Sequence, residues 1–331
     1  MKERVLITGA SGFIGYHLVK AAQQAGLEVH VAVRPSSDLS RLKELDPVVV
    51  QADFGSRESI EKLIDSEAYS YIIHAAGATR AKSEEVYNLV NAQYTRELAE
   101  VASLAQKPVK RFVFMSSLAA IGPLPYGPGN LITEETLPAP VTSYGKSKLL
   151  AEQLLAKVKG INITTIRPTA VYGPGEKDIL ILFKTLSRGL DAYIGRAPQR
   201  LSFVYAQDLA EVTMAAMLTN EGGCKVYNIS DGRGYEKYEL AGEFAKWSKR
   251  KALRIHVPLR MFRAVVDTLG LYYKYANTTP VLTPEKLNEL TAPNWMCSIE
   301  KAQKELNYQP AYTLENGLPE TLAWYKEEGW L

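Results

Sequence analysis

The stretch VLITGASGFIG (residues 5–15) joins an apolar run to three glycines spaced three apart, Gly9, Gly12 and Gly15. A β-branched apolar run of this length predicts a buried strand, and the apolar spacing from Phe13 onward predicts a helix. Glycine permits sharp turns and close approach of other groups to the backbone. We therefore infer that a ligand comes very close to the main chain in this first turn.

Short apolar runs alternate with helical patterns throughout the first half of the chain. The predicted strands are RVLIT (4–8), EVHVAVR (28–34), PVVVQAD (47–53), YIIHAAG (71–77), RFVFMSS (111–117) and NITTIRP (162–168). The predicted helices between them are GYHLVKAAQQAG, RESIEKLIDSE, NLVNAQYTRELAEVASLA and SYGKSKLLAEQLLAKVKG. Nearly continuous apolar strands are typical of parallel strands buried on both faces. The alternation therefore predicts an α/β fold, a Rossmann-type doubly wound parallel sheet.

The rhythm changes after Pro168, where a Gly/Pro loop precedes a predicted helix near 179–189. LSFVYAQDLAEVTMAAML is predicted to return to the first domain as a strand and a helix, and KVYNISDG is predicted to form one more strand. From about residue 234 the pattern is mostly helical, which predicts a smaller C-terminal substrate cap. We expect a dinucleotide-binding domain of residues 1–170 plus about 201–231, and a substrate-binding cap of about 171–200 plus 232–331.

Composition excludes several classes of function. The chain has 331 residues, 46% of them apolar, and a formal charge of +3, so no concentrated basic face points to nucleic acid. The basic segment KWSKRKALRIH (246–256) is interpreted as a solvated helix face ending in a strand. Two distant cysteines and four scattered histidines match no disulfide framework or metal motif, which favours a reducing, cytoplasmic setting. We find no signal peptide and no apolar run near the roughly 18 residues of a transmembrane segment.

A strand, a glycine turn and a helix in this order are the dinucleotide-binding arrangement. Gly9 is expected to allow the turn, Gly12 the approach of a pyrophosphate, and Gly15 the packing of the helix on the strand. The phosphates would then face free N–H groups at the positive end of the helix. The intervening Ser11, Phe13 and Ile14 belong to the same predicted cofactor cradle.

The residue after the second strand indicates which dinucleotide binds. A site for NAD usually offers a carboxylate about 20 residues beyond the glycines, which holds the ribose hydroxyls. This chain has Arg34 there, followed by Pro-Ser-Ser. A guanidinium beside serine hydroxyls suits the 2′-phosphate of NADP. We therefore expect NADP, while the nearby Asp38 leaves NAD open.

Two further strand ends are expected to contact the cofactor. Asp53, which ends the third strand, is predicted to accept a hydrogen bond from the adenine amino group, with Phe54 alongside. The small residues Ala75, Ala76 and Gly77 follow the fourth strand, where they leave room for the sugars of the cofactor. Tight packing of strand against helix would demand the same small residues, and the two interpretations are compatible.

Tyr144 and Lys148 lie four residues apart on a predicted helix and therefore on one face. The preceding strand ends in Ser116 and Ser117, so all these groups are expected at the ligand-binding edge of the sheet. A phenol titrates near pH 10, and an adjacent ammonium is expected to lower its pKa. We expect Ser117 to polarise a substrate oxygen, Tyr144 to exchange its proton, and Lys148 to hold the nicotinamide ribose as well. Ser116 is expected to point toward the core or the cofactor.

Taken together, the motifs resemble the extended short-chain dehydrogenase/reductases, the NAD(P)-dependent epimerase/dehydratase family. The matching segments, in the family's order from residue 5 to about 210, are TGASGFIG, HAAG, Asn91, VFMSS, Tyr144 with Lys148, RPTAVYGPG and FVYAQDLA. The resemblance implies Ser117, Tyr144 and Lys148 as catalytic triad and NAD(P) as cofactor. It also implies that Pro168 and Val171 line the nicotinamide, and that the C-terminal part forms the cap.

Two departures narrow the implied chemistry. Dehydratases of the family carry an acidic pair after the catalytic hydroxyl, where this chain has Leu118 and Ala119. Sugar-nucleotide epimerases carry an asparagine where this chain has Ala170. The stretches VRPSSD and DAYIGRAPQRLSFVYAQDLA resemble dihydroflavonol-reductase-like and hydroxysteroid-dehydrogenase-like members, and also bacterial sugar epimerases related to them. Arginines that remain available for a diphosphate are Arg188, Arg196 and Arg200.

The expected function is thus an NAD(P)-dependent oxidoreductase that interconverts a secondary alcohol and a ketone. The alternatives are a nucleotide-sugar epimerase with tightly bound NAD and a cofactor-binding regulator without turnover, against which the intact triad argues. The segment RMFRAVVDTLGLYYKYANTTPVL (260–282) is interpreted as a helix that packs its own core, lines an apolar pocket or touches a membrane surface. Helices near 84–105 and 143–157 could pair in a homodimer, and the other expected partner is a small-molecule substrate.

Overall fold

A computed structural model describes residues 2–219, 222–276 and 283–331 of the chain. The strands are β1 (Arg4–Thr8), β2 (Glu28–Val33), β3 (Val48–Gln51), β4 (Tyr71–His74), β5 (Arg111–Met115), β6 (Ile163–Pro168), β7 (Ala170–Tyr172), β8 (Leu190–Ile194), β9 (Arg200–Leu201), β10 (Phe203–Tyr205), β11 (Lys225–Ile229), β12 (Tyr235–Glu236) and β13 (Leu253–Val257). The helices are α1 (Phe13–Gln24), α2 (Arg57–Glu67), α3 (Glu84–Asn88), α4 (Tyr94–Ser103), α5 (Ser143–Leu155), α6 (Leu180–Ser187), α7 (Ala206–Leu218), α8 (Glu239–Ser248), α9 (Leu259–Ala276), α10 (Pro284–Leu290), α11 (Glu300–Leu306) and α12 (Leu314–Glu327). A π-helical turn (Leu89–Gln93) joins α3 to α4, and a 3₁₀ turn (Leu118–Ala120) follows β5.

Seven strands form a parallel sheet in the order β11-β6-β5-β4-β1-β2-β3. This confirms the doubly wound sheet that the sequence predicts. The chain order reverses between β1 and β4, and such a switch point leaves a ligand crevice at the carboxyl ends of the strands. The ends of β1, β4 and β5 therefore meet at one edge of the sheet.

The two faces of the sheet bury alternate residues of each strand, as the strand period of two requires. In β1, Val5 and Ile7 join the core beneath α1 and α7, whereas Leu6 joins the core on the opposite face, beneath α2, α4 and α5. Each fully buried side chain of this kind contributes about 1.5–3 kcal/mol relative to an exposed one. The near-continuous apolar pattern of the central strands is explained by this double burial.

The third strand is an exception to that pattern and corrects one expectation. PVVVQAD was predicted as a strand buried on both faces, but Val48 and Val49 of β3 are 47% and 48% exposed. The strand lies at the end of the sheet, so a neighbour covers one side only. Apolar runs alone do not reveal which strand stands at an edge.

A third core joins α6, α8 and α12 of the cap, and aromatic residues dominate it. The rings of Phe183 and Phe244 stack with centroids 5.6 Å apart, and fully buried Tyr325 packs against both Trp324 and Trp330. The sequence also predicts a mostly helical cap, and the described part adds two short strand pairs, β8 with β13 and β9 with β12.

Residues 260–276 of the apolar C-terminal segment lie in α9, whereas residues 277–282 lie outside the described residues. Val266 is fully buried, so part of the helix does pack inward. Across the described ranges, we find no helix with both the length and the apolar character needed to cross a bilayer.

Candidate active site

The turn between β1 and α1 is built from backbone packed directly on backbone. Gly9 adopts φ +72°, and a Cβ atom there would lie 2.6 Å from the carbonyl carbon of Ala75 and from the nitrogen of Ala76. At Gly15 a Cβ atom would overlap the carbonyl oxygen of Gly9. Gly12 differs, because it is exposed and an added Cβ would meet only the Gly9 oxygen, at 3.2 Å. The outer side of the turn at Gly12 is thus open to a ligand.

The N-terminus of α1 has the character of an anion site. Within the described part of the chain, no side chain caps it, and no acidic residue occupies its first turn. The first N–H groups of a helix have no partner inside the helix and carry the positive end of its dipole. Ser11, Phe13 and Ile14 are half-buried around these donors. The donor set therefore fits the pyrophosphate of a dinucleotide.

Arg34 directly follows β2 at the same edge of the sheet and is exposed. Its backbone N–H donates to the Ser37 hydroxyl at 3.1 Å, which shapes the loop. Among the described residues, no carboxylate pairs with its guanidinium. The nearby Asp38 accepts from the N–H of Ser40 at 2.9 Å, and this hydrogen bond lowers the pKa of that carboxyl. The Arg34 guanidinium is thus available to a ligand, whereas the Asp38 carboxylate stabilises its own loop.

The residues that follow β3 and β4 complete the part of the site that is predicted to bind the adenosine of the cofactor. The Asp53 carboxylate accepts from the N–H of Gly55 at 2.8 Å and is otherwise exposed. Phe54 is half-buried and tilts toward His74, with ring centroids 6.3 Å apart. The N–H of Ala76 donates to the Thr8 hydroxyl at 3.1 Å, which ties the end of β4 to the end of β1.

Gly77 lies where a larger residue would disturb the predicted catalytic lysine. A Cβ atom there would stand 3.0 Å from the Asn91 carbonyl oxygen and 3.3 Å from the ammonium nitrogen of Lys148. Gly77 is exposed on its other side. The run Ala75-Ala76-Gly77 therefore serves packing, as one of the two compatible interpretations requires, and also borders the edge where the cofactor is expected.

Local sequence fixes the start of α5, which carries Tyr144 and Lys148. The Thr142 hydroxyl accepts from the N–H of Gly145 at 3.0 Å and thereby caps the helix. A Cβ atom at Gly145 would overlap the Ala119 carbonyl oxygen, so glycine lets α5 pack closely on the 3₁₀ turn after β5. This contact brings Ser117, the residue before that turn, beside Tyr144.

Tyr144 and Ser117 interact directly, as the predicted triad requires. Burial raises the pKa of Tyr144 to about 12, and the side-chain hydrogen bond with Ser117 opposes that rise. The Ser117 hydroxyl also accepts from the N–H of Ala119 at 3.2 Å, which holds it at the start of the 3₁₀ turn. Tyr144 is half-buried, with the ring of Tyr87 against it at 6.3 Å. The two hydroxyls thus share one accessible corner of the edge.

Lys148 lies one turn further along α5 and is buried. Its ammonium donates to the Met115 carbonyl at 2.8 Å and stands 4.8 Å from the Phe114 ring centre and 6.0 Å from that of Tyr144. Burial lowers the pKa of Lys148 to about 8, against the opposing charge of Glu152. The expected lowering of the Tyr144 pKa by this ammonium is not found in this structure. Desolvation of the Tyr144 phenol raises its pKa and outweighs the effect of the Lys148 ammonium, which points toward the end of β5.

Comparison with known proteins agrees with this geometry. Residues 5–230 match the sequence profile described as the NAD dependent epimerase/dehydratase family. The chain belongs to that family. It is therefore an enzyme, an NAD(P)-dependent oxidoreductase or epimerase that acts on a small molecule.

Individual relatives cover almost the whole chain. It is 29% identical to a ceramide reductase of Caulobacter vibrioides, over 99% of this chain and 96% of that protein. It is 26% identical to a 3-beta-hydroxysteroid dehydrogenase of Mycolicibacterium neoaurum, over 98% and 92%. The UDP-glucose 4-epimerase of Thermotoga maritima, solved with UDP-glucose, superimposes with a TM-score of 0.79 at 21% identity over 98% and 99% of the two chains. That structure has the same fold.

The enzyme also contains buried residues around the triad whose roles were not predicted. Glu152, four residues beyond Lys148, pairs with Arg167 at 2.6 Å and accepts a hydrogen bond from the Ser116 hydroxyl. Ser116 thus points into the core, one of its two expected directions. The i, i+4, i+8 spacing of Tyr144, Lys148 and Glu152 was the available signal, since it places all three on one stripe of α5.

Asn91, one of the residues that match the family, connects three parts of the site. It lies in the π-helical turn, and its side chain exchanges hydrogen bonds with the backbone of Ala78 at 2.7 and 3.0 Å. It also donates to the Ser147 hydroxyl of α5 at 2.9 Å. Such π turns frequently occur at functional sites, and this one holds the loop after β4 against α5.

The remaining predicted residues lie at the end of β6 and beyond. Pro168 ends β6 and is buried, and Val171 is half-buried in β7. Ala170 is exposed, where epimerases of the family carry asparagine. Of the three arginines considered for a diphosphate, Arg188 and Arg196 are exposed, whereas Arg200 pairs with Glu236 at 3.6 Å.

Proposed function

We propose that the enzyme is an NADP(H)-dependent oxidoreductase that interconverts an apolar ketone and its secondary alcohol. One observation carries the proposal: the hydroxyls of Ser117 and Tyr144 meet at the carboxyl edge of the sheet, one helical turn from buried Lys148. The glycine turn and the free N–H groups of α1 lie at that same edge.

Each side chain has a separate role in this proposal. Ser117 donates a hydrogen bond to the substrate oxygen, which polarises the carbonyl. Tyr144 gives its phenolic proton to that oxygen as the alcohol forms. Lys148, mostly protonated at neutral pH with a pKa of about 8, holds the ribose hydroxyls of the cofactor. When bound, a nicotinamide cofactor supplies the hydride that reduces the carbonyl carbon.

Tyr144 donates the proton in reduction and accepts it in oxidation, so its pKa determines its resting form and not the direction of the reaction. With a pKa of about 12, the phenol is protonated throughout the physiological range and is ready to donate. In the reverse direction, oxidation of an alcohol requires the phenolate, which accepts the proton.

The residues beside Ser117 argue against water loss. Leu118, which stands where dehydratases of the family carry an acid, is 2% exposed and part of the hydrophobic core. Ala119, which follows it, has no titratable group. No general acid and base for a dehydration therefore flank Ser117 on this turn.

Support for an apolar substrate comes from two relatives. The ceramide reductase and the 3-beta-hydroxysteroid dehydrogenase bear names of apolar lipids, and each aligns with at least 98% of this chain. Ala170 removes the amide that would favour a sugar diphosphate. A nucleotide-sugar epimerase is the second candidate, since the Thermotoga maritima epimerase has the same fold.

We assign NADP over NAD because Arg34 is exposed without a carboxylate partner in the described structure, while Asp38 is engaged with Ser40. Affinities of wild type, Arg34→Ala and the matched control Arg233→Ala for NADPH and NADH test the assignment. We expect wild type and the control to prefer NADPH, and Arg34→Ala to lose that preference. Equal affinities in wild type, unchanged in Arg34→Ala, would overturn it.

Net cofactor consumption separates the two candidate functions. Oxidation of NADPH is followed at 1:1 stoichiometry against a panel of apolar ketones and, separately, nucleotide sugars. We expect turnover of a ketone with loss of NADPH. Interconversion of a nucleotide sugar with no net consumption, by protein purified with bound NAD, would replace the reductase by the epimerase.

We further propose a cytoplasmic location and a homodimer. The dimer would pair α3 and α4 with α5, since Val86 and Leu89 beside these helices are 42% and 45% exposed. Sedimentation velocity of wild type and Leu89→Glu tests the dimer, and a monomeric wild type would rule it out.

A further inference from the structure

The segment from the end of α8 into α9 carries an unusual concentration of positive charge. Between residues 244 and 266 the chain has seven basic residues and no acidic one, more than the +3 net charge of the whole chain. Two of the seven are paired, Lys246 with Glu243 and Arg254 with Asp191. The other five are exposed, and among described residues no carboxylate pairs with them: Lys249, Arg250, Lys251, Arg260 and Arg263.

Large apolar side chains are exposed on the same segment. Leu253 at the start of β13 is 70% exposed, and Met261 and Val265 of α9 are 63% and 53% exposed. Met261 and Val265 are four residues apart and therefore adjacent on the helix surface. Val266, on another side of the helix, is fully buried and anchors it to the protein. The apolar stripe is thus held at the surface by a helix that packs elsewhere.

We propose that this segment docks on an anionic lipid bilayer, with α9 lying in the plane of the interface. We call it the α9 surface, and define it by Lys249, Arg250, Lys251, Leu253, Leu259, Arg260, Met261, Arg263 and Val265. Amphipathic helices that combine basic residues with exposed apolar ones lie in membrane interfaces. Basic residues close to such a surface add electrostatic attraction to anionic lipids.

Charge complementarity selects the bilayer over a second copy of the chain. A symmetric dimer through α9 would bring Arg260 and Arg263 of both copies into one interface, and like charges there oppose association. Nucleic acid would match the charge, but it offers no counterpart to exposed Leu253, Met261 and Val265. Lipid headgroups and acyl chains supply both kinds of partner at once.

The position of the α9 surface relative to the site gives docking a use. Helix α9 packs against α10, and Glu285 of α10 accepts from the backbone N–H of Ser143 at 2.7 Å. Ser143 precedes Tyr144 on α5. The surface therefore belongs to the part of the cap that adjoins the candidate site. The docking itself does not depend on the proposed reaction.

Cosedimentation of the full-length protein with lipid vesicles tests the proposal without an activity readout. The vesicles are either phosphatidylcholine alone or an equimolar mixture with phosphatidylglycerol. We expect binding to the anionic vesicles only, with weakening as salt is raised. We expect Arg260→Glu/Arg263→Glu to lower the partition coefficient by roughly tenfold or more, because it reverses two charges near the surface.

Further variants distinguish charge, apolar contact and folding. Lys157→Glu/Lys159→Glu is the matched control, with the same change of net charge on exposed lysines after α5, and should bind like wild type. Met261→Asn/Val265→Asn should weaken binding while all charges remain. Should the glutamate pair fail to fold, Arg260→Gln/Arg263→Gln replaces it.

Four results would overturn the proposal. The first is no binding of wild type to anionic vesicles. The second is equal binding by wild type and the Arg260/Arg263 variants. The third is a dimer of the free protein that these variants dissociate, which would assign the α9 surface to a second copy. Tighter binding to a mixed-sequence RNA than to anionic vesicles would likewise contradict it.

Discussion

The sheet and the cap use glycine in opposite ways. At Gly15, between β1 and α1, backbone contacts backbone, and a single methyl group would overlap the Gly9 carbonyl. At Gly242, inside α8 of the cap, an added Cβ would meet nothing within 4 Å. The sheet half therefore positions its ligand groups by main-chain geometry, whereas the cap is assembled from side chains. Sequence motifs are easy to recognise where backbone geometry restricts the choice of residue. They are weak where side-chain packing determines the structure.

The largest effect is expected at the phenol that the sheet half positions. Tyr144→Phe removes the proton donor but keeps the ring, so we expect kcat/KM for ketone reduction to fall by about 10²–10⁴. Steady-state NADPH oxidation measures the loss, and cofactor affinity should change little. Activity retained within a few-fold would mean that another group donates the proton.

A matched pair of glycine substitutions tests whether Gly15 of the sheet half and Gly242 of the cap differ in this way. Gly15→Ala should destabilise the fold by at least about 2–3 kcal/mol, because neither the helix nor the Gly9 carbonyl can move freely. Gly242→Ala should instead stabilise it by about 0.5–1 kcal/mol, since alanine is the better helix former. Urea unfolding of both variants gives the two signs. Similar effects at both positions would remove the distinction between sheet and cap.

Acid should weaken the sheet half through His74, which is fully enclosed between the Thr8 and Thr95 hydroxyls. Burial lowers the pKa of His74 to about 3. Between pH 6.5 and pH 3 the unfolded chain therefore takes up a proton that the folded chain does not. Stability from this group is complete above pH 6.5 and falls as pH drops toward 3, by a few kcal/mol.

Histidine variants isolate that contribution from other titrating groups. His74→Gln should reduce the difference in unfolding free energy between pH 7 and pH 5 by about half of the histidine contribution, because burial also lowers the pKa of His17 to about 4. His256→Gln in the cap, where the imidazole is half-buried and hydrogen-bonds to the Tyr238 hydroxyl, should leave the difference close to wild type. An unchanged slope in His74→Gln would show that His74 is not the group responsible.

The smallest effect is expected where the cap touches α5. Both the backbone N–H and the hydroxyl of Ser143 donate to the Glu285 carboxylate, at 2.7 and 2.9 Å. Glu285→Ala should cost about 1–2 kcal/mol of stability and raise KM several-fold with little change in kcat, because the cap is then less firmly placed over the site. Lys286→Ala, on the same helix, is the control. A loss confined to kcat would indicate a catalytic role instead.

The sequence was most informative where backbone geometry restricts residue choice. The glycine turn, the six predicted strands and the helix of Tyr144 and Lys148 all follow from local patterns, and the structure contains each of them. The exposure of β3 could not be predicted, because edge position depends on strand order. The orientation of Lys148 toward the Met115 carbonyl could not be predicted either, because the two residues are 33 positions apart in sequence. The Glu285–Ser143 contact spans 142 residues, and no local pattern signals it.

The proposed chemistry is best tested by a crystal structure of the complex with NADP⁺, in which one distance is measured. That distance joins the phenol oxygen of Tyr144 to the hydride-carrying carbon of the nicotinamide. We predict at most about 6 Å, room for one carbonyl group in contact with both. A nicotinamide on the opposite rim, or a Tyr144 oxygen turned to solvent far from the ring, would contradict the proposed chemistry.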